Sequence, residues 1–201
     1  VYIMYFLPKP KKLTETNSEF FVESGIRIVS ESEGLKTSTG WALPKVLRDE
    51  LLRYAGVEAT LTAGTASKGD ISLRLVNALP PQSYVLSITE EQIEILGRDR
   101  AGVGYGIQTL CQIIRNKGAL LPALRIEDKP DIPARGFYMD QARGRSFKLD
   151  TIKKQIDLLS RYKLNQYQLY IEQSFAFRGF SEMWREDSVL TPEAVSYTHL
   201  T

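Results

Sequence analysis

Pro133-Ala134-Arg135-Gly136-Phe137-Tyr138-Met139-Asp140-Gln141-Ala142-Arg143 is the stretch on which the fold turns. Its middle reads as a buried-type strand, from Ala134 to about Asp140, flanked by two arginines and an aspartate. Charged groups at such depth are costly unless they are paired or used on a ligand, and from the residues alone both uses stay open. Just downstream, Leu149, Ile152, Ile156 and Leu159 recur at helical spacing, which predicts a helix with one buried face. Gln166 to Ile171 reads as a second strand. Strand, helix and strand in so short a run make a βαβ unit, whose strands are parallel and whose crossover is right-handed.

Upstream the pattern differs. Asp128 to Pro133, with prolines at 130 and 133, reads as a linker. Before it, Pro8 to Pro10 followed by Lys11, Lys12 and Leu13 reads as an extended lead-in, and Phe20 to Val22 and Ile26 to Val29 are short strand candidates with Gly25 at the turn. Leu43, Leu47, Leu51 and Tyr54 predict a helix from Trp41 to Tyr54, stopped by Gly56. Ile71, Leu73 and Leu75 alternate with polar residues, as do Tyr84, Leu86 and Ile88, then Ile93 and Ile95. Only Thr89, Glu90 and Glu91 separate the last two runs, too few for a parallel crossover, so they form an antiparallel hairpin. Next comes a helix from about Gly102 to Asn116, closed by Gly118, with Val103, Ile107, Leu110, Cys111 and Ile114 on one face. The expected fold class is therefore α/β. Residues 1–128 form a small α+β domain, a sheet with two helices, and residues 129–201 begin a second domain with a βαβ unit.

Several function classes are excluded at this level. Of the 201 residues 43% are hydrophobic and 25% charged, an ordinary globular composition. The formal charge is +2, and the densest basic patch, Lys9, Lys11 and Lys12, reads as a solvated chain start and not as a nucleic-acid contact. Cys111 is the one cysteine, so an intrachain disulfide or a CxxC clip is ruled out and a core thiol is expected. The one histidine, His199, lies near the C-terminal end, so Ser-His-Asp and Cys-His catalysis and histidine-based zinc sites have no ordered imidazole. Chemistry must rest on carboxylates, Tyr, Lys or Arg, and no metal or cofactor is expected. Gly102, Gly104 and Gly106 are spaced for close helix-to-sheet packing, unlike a GxGxxG loop, and imply no nucleotide. No apolar stretch approaches the roughly 20 residues that span a bilayer, and the compartment is left open. Thr191 and Pro192 are suited to start a helix. A single βαβ unit cannot bury both faces of its sheet, so the chain is expected to be a fragment, with Ser196 to Thr201 not continuing the native sequence and a segment removed ahead of Val1.

Taken together, the Pro133–Arg143 string, the helix Leu149 to Tyr162, and Lys163-Leu-Asn-Gln-Tyr-Gln-Leu-Tyr170 resemble the opening of the catalytic barrel of family 20 glycoside hydrolases, the β-N-acetylhexosaminidases. Leu7-Pro-Lys-Pro10, Gly69-Asp-Ile-Ser-Leu73, the Tyr84 to Ile95 hairpin and Ala101-Gly-Val-Gly-Tyr-Gly-Ile-Gln-Thr-Leu-Cys-Gln-Ile113 are similar to the small α/β domain that precedes that barrel. The resemblance implies a truncated (β/α)₈ barrel after the small domain. It also implies retaining, substrate-assisted hydrolysis of terminal β-linked N-acetylglucosamine or N-acetylgalactosamine, in which the substrate's acetamido group attacks the anomeric carbon and a glutamate protonates the leaving oxygen. The adjacent Asp-Glu pair of that chemistry comes after the fourth barrel strand in the family, so no catalytic residue is expected in this chain, and the fragment alone is expected to be inactive and, with its strand edges unpaired, aggregation-prone. By the same resemblance Arg135 binds the sugar hydroxyls. Many members carry His-Leu-Thr-Asp-Asp at the end of the second strand, where this chain has Leu169-Tyr-Ile-Glu-Gln-Ser-Phe-Ala-Phe177, so Glu172 takes part of that loop's supporting role. Phe175, Phe177 and Trp184 either stack on sugar faces or cap the core. The implied partner is an N-acetylhexosamine-terminated glycan. Two alternatives remain: another glycosidase with the same small domain, α-glucuronidase-like or O-GlcNAc-hydrolase-like, and a non-catalytic carbohydrate-binding relative.

Overall fold

Every second residue of Tyr84–Ile88 and Ile93–Gly97 is apolar and turned to the same side, and these two strands form the centre of a seven-stranded sheet. The computed structural model describes residues 4–35, 42–184 and 189–192. The chain divides into two units, residues 1–133 and 134–201. The first contains β1 (Lys12–Phe21), β2 (Ile26–Ser30), α1 (Leu43–Glu50), β3 (Ala59–Ala63), β4 (Ile71–Leu75), β5 (Tyr84–Ile88), β6 (Ile93–Gly97), α2 (Arg100–Lys117) and β7 (Leu120–Asp128). The sheet order is β1-β7-β5-β6-β4-β2-β3. β3, β2, β4 and β6 run parallel, while β5 is antiparallel to both β6 and β7, and β1 is antiparallel to β7. The expected β5–β6 hairpin is present.

One face of this sheet carries both helices. Ile71, Leu73, Leu86, Ile93 and Ile95 lie fully buried with Val103, Ile107, Leu110, Cys111 and Ile114 of α2. The glycines of α2 allow that closeness. A Cβ on Gly102 would sit 2.2 Å from the Ser83 carbonyl oxygen, one on Gly104 2.5 Å from Leu43 Cδ1, and one on Gly106 2.5 Å from Ile95 Cγ2. The Asp99 carboxylate caps the helix by accepting from the Gly102 N–H at 2.8 Å. α1 continues through a wider turn, Leu51–Ala55, and stops at Gly56 in the left-handed region, φ 67°. Trp41, the expected start of this helix, is outside the described residues. The other face of the sheet mixes apolar Val29 and Val85 with polar pairs, Arg74 donating to Glu94 at 2.8 Å and Arg125 to Ser87 at 3.2 Å.

Three strands depart from expectation. β1 is ten residues long, begins within the stretch read as a lead-in, and pairs with β7 at one edge, whereas β2 lies between β3 and β4. The sequence reading anticipates neither β3 nor β7. β3 is an edge strand of small, weakly patterned residues, Ala-Thr-Leu-Thr-Ala, and β7 is interrupted by Pro122.

The second unit contains β8 (Gly136–Asp140), α3 (Leu149–Arg161) and β9 (Gln166–Tyr170), with β8 and β9 parallel and Gly136 opposite Gln166. These elements match the expected βαβ unit. Gly136 has no room for a side chain, since a Cβ there would meet Gln166 Cβ at 2.7 Å and its carbonyl oxygen at 2.9 Å. Ile152 of α3 is fully buried, with Leu149, Ile156, Tyr167, Leu169, Phe175 and Leu190 packed around it. Residues 193–201, which include most of the helix expected after Thr191 and also His199, are outside the described part.

Candidate functional site

Because β8 and β9 are parallel, the loops leaving their last residues emerge at one edge of the two-stranded sheet. In parallel α/β sheets that edge, beyond the carboxyl ends of the strands, is where ligands bind. Asp140 and Tyr170, the last residues of the two strands, are partners in the ladder. The Asp140 carboxylate turns the chain by accepting from the main-chain N–H groups of Ala142 at 2.9 Å and Arg143 at 3.1 Å. The turn brings the Arg143 guanidinium over the Tyr170 ring, 4.9 Å from its centroid, and Arg143 Nη2 donates to the Tyr170 oxygen at 3.1 Å. The Tyr170 hydroxyl in turn donates to Glu172. Arg143 lies 3.7 Å from the Glu172 carboxylate and 3.8 Å from that of Asp140. Gln173 Nε2 reaches across to the Ala142 carbonyl at 3.2 Å, tying the two loops together.

These contacts set the electrostatics. The hydrogen bond to Glu172, then desolvation, push the Tyr170 phenol above its ordinary value. Attraction from Tyr170 first and Asp140 next holds Arg143 more firmly cationic. The Arg143 side chain is 69% exposed, so its N–H groups remain within reach of a ligand. A planar cation, an aromatic ring and a carboxylate side by side are suited to gripping a hydroxyl-rich molecule. Among the described residues no group of three or more His, Cys, Asp or Glu is placed to hold a metal ion, and no helix is long and apolar enough to cross a membrane.

Of the two residues expected to bind substrate, Glu172 lies in this cluster and Arg135 does not. Arg135 precedes β8, so it lies at the opposite, amino-terminal end of the strands. There its Nε and Nη2 both donate to the Lys163 carbonyl, at 3.1 and 2.8 Å, and its own N–H donates to the Asn165 side chain at 2.9 Å. Lys163 is buried and has φ 63°, so the guanidinium secures a strained turn just ahead of β9. In the sequence, Arg143 and Asp140 stand out only as charges flanking a strand, and nothing marks Tyr170 as a site residue. The signal that finds all three is strand direction, because residues at the carboxyl end of a parallel strand have more claim to the site than those at its amino end. Phe175 is packed in the small core and Phe177 lies edge-on to it at 4.9 Å, while Trp184 Nε1 donates to the Phe177 carbonyl at 3.3 Å.

Known proteins share this sequence pattern and this fold. Residues 4–129 match glycosyl hydrolase family 20, domain 2. The chain is 34% identical over 181 residues to the beta-N-acetylhexosaminidase of Cellulomonas fimi, covering 86% of this chain and 35% of that protein. It is 29% identical over 184 residues to the beta-hexosaminidase of Porphyromonas gingivalis, covering 86% of this chain and 23% of that one. The crystal structure of beta-N-acetylhexosaminidase from Bacteroides fragilis shares the fold with a TM-score of 0.78 at 22% identity, covering 98% of this chain and 42% of that chain. This chain belongs to glycoside hydrolase family 20. It spans 35% and 23% of the lengths of the two curated relatives, so it corresponds to a minor part of each.

Proposed function

We propose that this chain is part of a retaining exo-β-N-acetylhexosaminidase, residues 1–128 forming a supporting α+β domain and residues 129–201 opening a (β/α)₈ barrel. The reaction is substrate-assisted. The acetamido oxygen of the terminal sugar attacks the anomeric carbon while a carboxylic acid supplied from outside this chain protonates the departing glycosidic oxygen, and water then opens the cyclic intermediate with retention. The residues here bind and orient. Arg143 donates to hydroxyls of the non-reducing sugar, Tyr170 carries the guanidinium on its ring, and Glu172 holds Tyr170 and balances the charge. Arg135, the sugar ligand implied by resemblance, is assigned instead to the structure of the turn before β9. Family membership supports the reading, and the observation that carries it is the Arg143–Tyr170–Glu172 cluster at the carboxyl ends of two parallel strands.

The test is turnover of p-nitrophenyl β-N-acetylglucosaminide by the full-length protein that contains this chain. Arg143→Ala should lower kcat/KM by about 100-fold, the loss expected for charge-assisted hydrogen bonds. Arg135→Ala should leave kcat/KM within a few-fold and instead lower the melting temperature. The reverse pattern would return the sugar contact to Arg135. Sugar binding without turnover in the unsubstituted protein would favour a carbohydrate-binding relative over an enzyme.

A further inference from the structure

We propose that Gln141 is a positioning residue for Arg143, an inference that rests on the sugar-facing reading of the Arg143 cluster. Gln141 is 1% exposed although it comes directly after the last residue of β8. Its main-chain N–H donates to the Tyr170 carbonyl at 2.9 Å and so extends the β8–β9 ladder by one step. From that anchored position it closes the adjoining loop twice. Its side-chain Oε1 accepts from the Phe147 N–H at 2.7 Å, and its main-chain carbonyl accepts from the Ser146 hydroxyl at 2.9 Å. The loop between these closures, Ala142 to Ser146, contains Arg143 and turns at Gly144, φ 71°.

The loop itself has little to gain from being held. Arg143, Gly144, Arg145 and Ser146 are exposed, so fixing them buries almost no apolar surface. Gln141 also leaves its Nε2 buried with no hydrogen-bond partner among the described residues, which costs stability. A leucine of similar size would avoid that cost but could not accept from Phe147. What the glutamine secures is the path of the chain on the far side of Arg143, while Asp140 secures the near side through the Ala142 and Arg143 N–H groups. With both sides held, the guanidinium is set on the Tyr170 ring before any ligand arrives, which removes an ordering cost from binding.

The full-length enzyme is assayed as Gln141→Leu, Gln141→Glu and Ser146→Ala, each with Arg143 intact and in an Arg143→Ala background. Gln141→Leu should lower kcat/KM by about ten-fold, mainly through KM, the size of one ordinary hydrogen bond. Gln141→Glu, which keeps an acceptor oxygen for Phe147, should recover most of the loss. In the Arg143→Ala background neither Gln141→Leu nor Ser146→Ala should cost anything further, because residues acting through one contact are not additive. Equal losses in both backgrounds, or no loss from Gln141→Leu beside an impaired Arg143→Ala, would overturn the proposal. Should Gln141→Leu not fold, Ser146→Ala, which opens the other closure at an exposed position, decides the matter by the same comparison. Undiminished turnover in Arg143→Ala alone would overturn the reading of the site, and this inference with it, and is read from that variant by itself.

Discussion

At the scale of single residues, depth decides which polar contacts matter. Lys68–Glu91 and Arg48–Asp49 pair at the surface with both partners largely exposed, and such pairs contribute little. Arg115 and Glu50 are different. Arg115 Nε donates to Glu50 at 2.6 Å with the two side chains 20% and 7% exposed, and the Tyr54 ring lies 5.9 Å from the guanidinium carbon. Glu50→Ala leaves that cation without its carboxylate, and urea unfolding should show a loss of about 3 kcal/mol. A loss well under 1 kcal/mol would mean that water reaches the guanidinium. Tyr84 provides a pH-dependent counterpart. Its hydroxyl pairs with Thr109 at 2.7 Å and donates to Asp128 at 3.1 Å, and burial first, then the charge of Asp128, raises its pKa well above the ordinary phenol value of 10.0. Below pH 10 the tyrosine is neutral in both folded and unfolded chains. Above it the unfolded chain releases the proton and the folded one does not, so stability should fall as pH rises. Unfolding measured from about pH 9 to 11 should show that slope, flattened in Tyr84→Phe, and an unchanged slope would refute the assignment. The same scale explains why sequence alone does not tell apart the two arginines that flank β8. The Lys163 carbonyl, placed by a residue with positive φ, accepts from the Arg135 guanidinium, and nothing in the pattern of residue types announces that contact.

At the scale of elements, the close approach of α2 to the sheet is written in its glycines. Gly102→Ala would gain about 1 kcal/mol of helix propensity, yet its Cβ would sit 2.2 Å from a main-chain oxygen, which cannot swing aside as a flexible side chain would. The clash should prevail, and differential scanning calorimetry should show a lower melting temperature. A rise would mean that the Pro80–Ser83 turn yields. α2, β4, β5, β6 and α3 were legible because each turns apolar residues toward a core at a period of 3.6 or 2. β1 was legible only at its buried end. Lys12 to Asn17 are all exposed, and the pairing with β7 shifts register between Glu15 and Glu19, as suits a strand that must discourage further pairing. β3 lies at the opposite edge with little apolar pattern, and β7 is defined by its two neighbours more than by its own alternation.

At the scale of the whole molecule, the two units differ in how much of themselves they bury. The first has a continuous core from Phe20 to Ile126, and the second, among its described residues, has a small apolar core around Ile152 and Leu190, with Phe137 and Tyr138 of β8 46% and 52% exposed. Amide hydrogen exchange on this chain should therefore find slow protons in β4, β5, β6 and α2, and exchange at least about tenfold faster throughout β8, α3 and β9. Equal protection in both units would contradict this difference. The βαβ pattern of the second unit was legible because α3 and the two strands succeed one another without interruption, but two strands leave open what closes around them. The pairing of β1 with β7 has a consequence of another kind. The first and last strands of the seven-stranded sheet lie side by side, Lys12 opposite Glu127, so the polypeptide comes in and goes out through one doorway. A module built that way can be spliced into a host gene, or cut out of it, with a short bridge across the gap, and neither its own sheet nor its host's needs to be rethreaded.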